Sequence, residues 1–199
     1  GFADATPAAP SVVPAPAPDT GVRDGLPFVA RRADASLFPI PAWSKCATRA
    51  LAAATPEQLC SADPAGLPQL RQQIADFLAK YRGIRCDPQD IVVTTGIRHA
   101  IDLLARGIVR DGDKVCLEEP GYPAARALFA LAGAVPVDIA VDAEGIDCTA
   151  LAAHTDARLA YVTPAHQSPL GVTMSVTRRL ALLEWANDSG AWVVEDDYD

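Results

Sequence analysis

Apolar and polar residues follow two different rhythms along this chain. Between residues 36 and 83 the period is helical. The stretch "LFPIPAWSKCATRALAAA" enters through prolines and then spaces Trp43, Cys46, Ala47 and Ala50 as one face of a helix. In "DPAGLPQLRQQIADFLAKYRGI", Leu67, Leu70, Ile74, Phe77 and Leu78 share a helical face that is expected to stop near Gly83. After that glycine, short β-rich runs alternate with helical ones. Strand "DIVVTT" leads to Gly96 and helix "IRHAIDLLARGIV"; strand "KVCLEE" leads to "PGYP" and helix "AARALFALAG"; strand "VPVDIAV" follows. A less regular stretch precedes strand "RLAYVTP", loop "AHQSPLGVTM", helix "SVTRRLALLEWANDSG" and strand "AWVVED". This alternation predicts an α/β fold, a mostly parallel sheet sandwiched by helices.

In such sheets ligands bind at the carboxyl ends of the strands, so the residues just after each strand carry the candidate chemistry. After "IVV" stand Thr94-Thr95-Gly96-Ile97-Arg98. Free N–H groups and partial positive charge at a helix start suit a phosphate there, and an ordinary helix cap fits the same residues. Pro120-Gly121-Tyr122-Pro123 projects an aromatic ring that can stack on a flat ligand or pack its own turn. Ala165-His166-Gln167-Ser168-Pro169-Leu170-Gly171 is a polar loop in which a lone histidine is more often structural than catalytic. The last strand runs into Glu195-Asp196-Asp197-Tyr198-Asp199, four acids in five residues. Such a group must be exposed, paired or given a cation.

Composition narrows the classes. Half of the 199 residues are hydrophobic, enough to bury a sizeable core in one domain. Net charge is -8, and the basic residues are scattered, so this segment alone is a poor nucleic-acid binder. No apolar run reaches membrane-spanning length and no signal peptide opens the chain, which reads as soluble and cytoplasmic. The five cysteines form no CxxC or Cys/His cluster, so reduced thiols and no zinc site are expected. Residues 1–27 carry six of the seventeen prolines without periodicity. Residues 1–35 are therefore read as a proline-rich linker and entry segment, and 36–199 as the packed domain.

"DPAGLPQLRQQIADFLAKYRGI", "EEPGYPAAR", "TPAHQSPLGVTMS" and "EDDYD" together resemble, in order and spacing, the fold-type I pyridoxal-phosphate-dependent aminotransferases. They are most similar to the aminotransferase-like domain of MocR/GabR-type, GntR-family transcription regulators. The resemblance implies the front half of that domain, with the winged-helix DNA-binding domain and the C-terminal part absent from this sequence. It implies pyridoxal 5'-phosphate in the complete protein, with Asp196 against the pyridine nitrogen, keeping it protonated. It further implies Tyr198 at the cofactor's 3-hydroxyl, Tyr122 stacked on the ring, and Thr95, Gly96, Ile97 and Arg98 offering N–H groups to the phosphate. His166 and Gln167 would line the loop near the ring, while Glu195, Asp197 and Asp199 are structural or solvated. The expected partners are a small amine or amino-acid effector, a second copy in a homodimer, and DNA only through the absent domain.

The sequence also departs from that family. The lysine that carries the cofactor lies beyond the aspartate, and the lysines here, Lys45, Lys80 and Lys114, match no such position. No catalytic residue is therefore assigned to this chain. Arg31-Arg32 stand where a glycine is usual, and Ser61 where a tyrosine is usual. Two other readings are weighed against the regulator: part of a free-standing aminotransferase acting on amino acids, and an unrelated α/β domain holding Mg²⁺ on Asp196, Asp197 and Asp199.

Overall fold

The computed structural model describes residues 34–60 and 63–198. The greater part of the proline-rich segment, Arg31, Arg32, Ser61 and Asp199 lie outside the described residues, and with them the expectations placed there. The described residues fall into two compact units, one ending at Thr55 and one beginning at Pro56. In the first, Asp34 caps a short 3₁₀ turn, Ala35–Leu37, by accepting from the Ser36 amide at 2.9 Å. Helix α1, Ile40–Ala52, follows with proline in its first turn, and the Phe38 and Trp43 rings meet at 5.6 Å. Proline is tolerated there because the first helical N–H groups have no partner within the helix.

The second unit begins with α2 (Pro56–Cys60) and α3 (Pro68–Phe77), which continues through one wide turn to Gly83. Gly83 adopts φ +69, the left-handed conformation that lets the chain leave a helix without a Cβ clash, so the expected stop is present. The apolar face is only partly covered: Ala75 is the buried residue of α3, Ile74 and Leu78 are half-buried, and Leu67, Leu70 and Phe77 remain exposed.

The predicted strand "DIVVTT" is corrected. Residues 88–90 form a 3₁₀ turn capped by Asp87, 91–94 belong to no helix or sheet, and 95–96 form a bend. The reason is a competing partner: the Val93 amide donates to the Ala65 carbonyl at 2.8 Å. Gly66 presses so close that a Cβ there would lie 2.6 Å from a Val93 methyl. That bond ties one edge of the segment to a loop where a neighbouring strand would otherwise lie.

From α4 (Ile97–Ile108) onward the alternation holds: β1 (Lys114–Glu119), α5 (Pro123–Leu131), β2 (Val135–Asp142), β3 (Gly145–Ile146), α6 (Cys148–Leu151), β4 (Ala157–Val162), α7 (Val176–Ser189) and β5 (Trp192–Glu195). The sheet order is β3-β2-β1-β4-β5, parallel except for the β2–β3 hairpin. Val115, Leu117, Leu159 and Tyr161 face one side, packing with Ile101, Ala105 and Phe129 of α4 and α5. Their sequence neighbours Cys116, Ala160 and Val162 face the other side, with Leu151, Leu182 and Trp185 of α6 and α7. Both faces are covered, which is why these strands read as continuous apolar runs.

Arg178 of α7 ties down the β2–β3 hairpin. It pairs with Asp142 at 2.8 Å, donates to the Gly145 carbonyl at 3.2 Å and also donates to the Ile146 carbonyl. Its guanidinium holds the Asp142 carboxyl below the usual carboxylate range. From β1 the chain moves outward to β2 and then returns to the other side of β1 for β4. The crevice at the carboxyl ends of β1 and β4 is thus the point where strand order reverses, the favoured binding place in an open α/β sheet.

Candidate functional site

Parallel pairing brings the strand ends level. Glu119 ends β1, Val162 ends β4, and Val162 pairs with Glu195 at the end of β5. One more ladder-like bond, from the Asp196 amide to the Val162 carbonyl at 2.9 Å, carries the order into the acidic segment.

The turn after β1 folds back tightly. A Cβ on Gly121 would lie 2.2 Å from the Glu118 carbonyl oxygen, so glycine is needed for this close approach. Tyr122 sits at the N-cap of α5 and, with Leu117, Glu118, Arg126 and Tyr161, walls a cavity of about 260 Å³. Arg126 is ion-paired with Asp138 and lies 3.9 Å from Glu119.

Asp196 accepts a hydrogen bond from the Tyr161 hydroxyl. Tyr161 is buried, and burial raises its phenol above the ordinary range, reinforced by the bond to Asp196 and by that carboxylate's charge. The phenol therefore stays a donor. The neighbouring acid goes elsewhere: Asp197 pairs with Arg82 from the turn that follows α3. Asp196 and Asp197 thus diverge to different partners, and among the described residues no three His, Cys, Asp or Glu side chains cluster as a metal site. Tyr198 donates to the His166 carbonyl at 2.6 Å, latching the acidic segment to the loop after β4.

That loop is organised from below by Glu118. Its Oε2 accepts from the Thr163 amide at 3.3 Å, the Thr163 hydroxyl at 2.7 Å and the Gln167 amide nitrogen at 3.0 Å. Gln167 also donates to the Pro120 and Ser168 carbonyls and accepts from the Leu170 amide, so its side chain is committed inside the loop. Burial raises the Glu118 carboxyl's pKa; the Thr163 and Gln167 donors oppose this, and the charge on Asp196 adds to it.

This gives a pH prediction with a definite sign. A raised carboxyl holds its proton more tightly in the folded chain than in the unfolded one. Its contribution to stability is therefore fully present below the ordinary glutamate value of 4.5 and is lost as pH rises through the elevated folded value. Glu118→Gln keeps an acceptor and has no proton to lose. Urea unfolding of both versions of the complete protein from about pH 4 to 8 should show the unsubstituted protein losing ground to the variant as pH rises, and parallel curves contradict the raised carboxyl. Asp142 and Asp156 have carboxyls lowered by bonds to Arg178 and Lys114, so they act in the opposite sense, below 3.8.

Thr95, Gly96, Ile97 and Arg98 open α4 at the same end of the sheet. The C-terminal carbonyl of α4, on Ile108, accepts from Arg158 at the start of β4 at 2.9 Å, so the helix begins at the opposite, carboxyl end. Gly96 has φ +146, nothing lies within 4 Å of where its Cβ would be, and no side chain caps the helix there. The Thr95 amide donates to His99 Nδ1 at 3.2 Å, which shapes this turn. These features fit a phosphate: open approach, backbone donors and the positive end of a helix. Tyr122 and the Asp196 carboxylate fit the flat, protonated ring of the same group.

Several residues of this region were not singled out in the sequence. Glu118, Tyr161, Thr163, Arg82 and His99 all act through contacts distant along the chain or within one helical turn. Glu118 and Tyr161 had a readable signal, polar groups at inward positions of apolar strands. Lys114 lies at the far end of β1, bonded to Asp156 at 2.7 Å, and Lys80 rests over the Tyr81 ring at 4.9 Å. Among the described residues no helix is long and apolar enough to cross a membrane.

Comparison with known proteins agrees with this geometry. The family model for aminotransferase class I and II matches residues 30–198. The uncharacterized HTH-type transcriptional regulator YhdI of Bacillus subtilis (strain 168) is 36% identical over 166 residues, 83% of this chain and 35% of the relative. The probable rhizopine catabolism regulatory protein MocR of Rhizobium meliloti is 34% identical over 181 residues, 91% of this chain and 36% of the relative. The chain thus spans just over a third of the length of these relatives. Among solved structures, an archaeal alanine:glyoxylate aminotransferase superposes with TM-score 0.75 at 34% identity, covering 82% of this chain and 42% of that one. The chain belongs to the aminotransferase class I and II family, and its sequence is of the aminotransferase-like kind found in MocR-type HTH transcription regulators.

Proposed function

We propose that in the complete protein this domain binds pyridoxal 5'-phosphate and senses a small amine or amino acid, passing the signal to a DNA-binding domain of a homodimeric regulator. The observation that carries the reading is the Asp196 carboxylate, held by Tyr161 at the carboxyl end of β5 on the same rim as Tyr122 and the uncapped start of α4. When bound, the cofactor supplies an electron-withdrawing ring. Asp196 would keep the ring nitrogen protonated by pairing opposite charge, and Tyr161 orients that carboxylate. Tyr122 would cover one ring face, and the amides of Gly96, Ile97 and Arg98 would bind the phosphate, joined by the Thr95 amide once it leaves its present acceptor, His99 Nδ1. Tyr198 would reach the 3-hydroxyl by leaving its present acceptor, the His166 carbonyl. His166 and Gln167 would shape the loop beside the ring.

A free-standing aminotransferase is the second reading, favoured by the superposition on the archaeal enzyme. The chain-wide similarity to HTH regulators supports the first. With the complete protein, titration with pyridoxal phosphate should give a visible absorption band, and a panel of amines and amino acids should change its affinity for its own promoter DNA. Steady amino-acid turnover without DNA binding selects the enzyme reading, and the absence of any band overturns both. The 199-residue chain, treated with pyridoxal phosphate and borohydride, should show no lysine modified in preference to the others, since Lys114 sits at the wrong end of the sheet.

A further inference from the structure

We propose that Glu118 is a positioning residue for the ligand site, its buried carboxyl clamping the 163–171 loop to the end of β1 so that the loop and the Asp196–Tyr198 segment share one fixed arrangement. The inference rests on the functional reading above and deepens it.

Glu118 is 5% exposed, yet it bears a carboxyl group. Its Oε2 gathers three donors, all from Thr163 and Gln167. The Thr163 hydroxyl that donates to it also accepts from the Ser168 amide at 3.0 Å, so one side chain locks both ends of the turn. Gln167 spreads the hold further, to Pro120 on the turn bearing Tyr122 and to Leu170 within the loop. The neighbouring His166 carbonyl receives the Tyr198 hydroxyl, and two residues before Tyr198 stands Asp196. A continuous path of bonds therefore runs from Glu118 through the loop to the acid that would meet the ring nitrogen.

Simple scaffolding does not account for the choice of residue. Glu118 Oε1 is buried without a hydrogen-bond partner, a cost that an apolar side chain with a rearranged loop would avoid. An imperfectly satisfied acid next to a ligand crevice is the kind of strain that functional sites retain.

The test uses the complete protein and has a readout that needs no ligand. In cofactor-free Glu118→Leu, the amides of Gln167, Leu170 and Gly171 should exchange hydrogen at least about tenfold faster, the scale of losing one charge-assisted bond, while those of Val115–Leu117 keep their rates. Titration with pyridoxal phosphate should show affinity weakened by about tenfold or more and loss of the induced circular dichroism that reports ring orientation. Glu118→Gln, which retains the acceptor, should restore both. Thr163→Val cuts the clamp from the other side and should move both readouts in the same direction, so the test survives if the leucine variant fails to fold. Unchanged loop exchange overturns the clamp. Faster exchange with unchanged affinity and dichroism overturns its positioning role. Absence of binding by the unsubstituted protein sinks the functional reading and the ligand half of this proposal, while exchange still decides the clamp.

Discussion

Asp196→Ala should weaken binding of pyridoxal phosphate by the complete protein roughly 30- to 150-fold, the equivalent of about 2–3 kcal/mol for a lost charge-assisted contact. The substitution removes the only charge expected to hold a proton on the ring nitrogen, and it also orphans the Tyr161 hydroxyl, which is buried with Asp196 as its acceptor. A stability loss of about 1–3 kcal/mol should therefore accompany the loss of affinity. Asp196→Asn separates the two effects. The amide oxygen can still accept from Tyr161, so thermal stability should recover while affinity stays low. Absorbance titration and thermal unfolding measure the pair, and an alanine variant that binds with native affinity and colour would falsify the assignment of Asp196.

Phe129→Ala should cost about 3–5 kcal/mol of unfolding free energy, the range for emptying an aromatic site in a closed core. Phe129 is fully buried, on the α5 face of the sheet, and its ring meets that of Tyr161 edge-on at 6.1 Å. The cavity would open directly beneath the residue that orients Asp196. Ligand affinity should then fall along with stability, and Phe129→Leu should recover most of both by refilling the space. Urea unfolding of the complete protein gives the measurement; a loss below about 1 kcal/mol would mean that this face is not packed as described.

The difference between what was readable and what was not follows the range of the interactions. Helices α4, α5 and α7 and the strands at 114–119, 135–142, 157–162 and 192–195 were legible because period and punctuation are local, whereas β3 and α6 fell in the stretch that showed no clear period. Gly83 likewise marked its helix end through backbone conformation alone. The strand expected at 90–95 is absent where the Val93 amide is claimed by Ala65, a contact set by where an earlier loop lies. The apolar face of α3 was read correctly as a pattern, but a pattern does not say whether anything covers it. The motifs around Tyr122, His166 and Asp196 lie just beyond the carboxyl ends of β1, β4 and β5, as their positions after apolar runs implied. The bonds that join these strand ends could not be paired by spacing: Glu118 meets Thr163 and Gln167 at separations of 45 and 49 residues, Tyr161 meets Asp196 at 35, and Arg82 meets Asp197 at 115.

The linear order of residues was thus sufficient for the α/β class, the placing of the polar motifs at strand ends and membership of the aminotransferase family, because each depends on short-range periodicity or on motif identity. Only the folded arrangement decided that Asp196 answers to Tyr161 while Asp197 turns to Arg82, and that a buried glutamate binds the histidine-bearing loop to the sheet. Those choices depend on parallel register and on which polar groups are stripped of water together. Neither quantity exists until distant strands lie side by side.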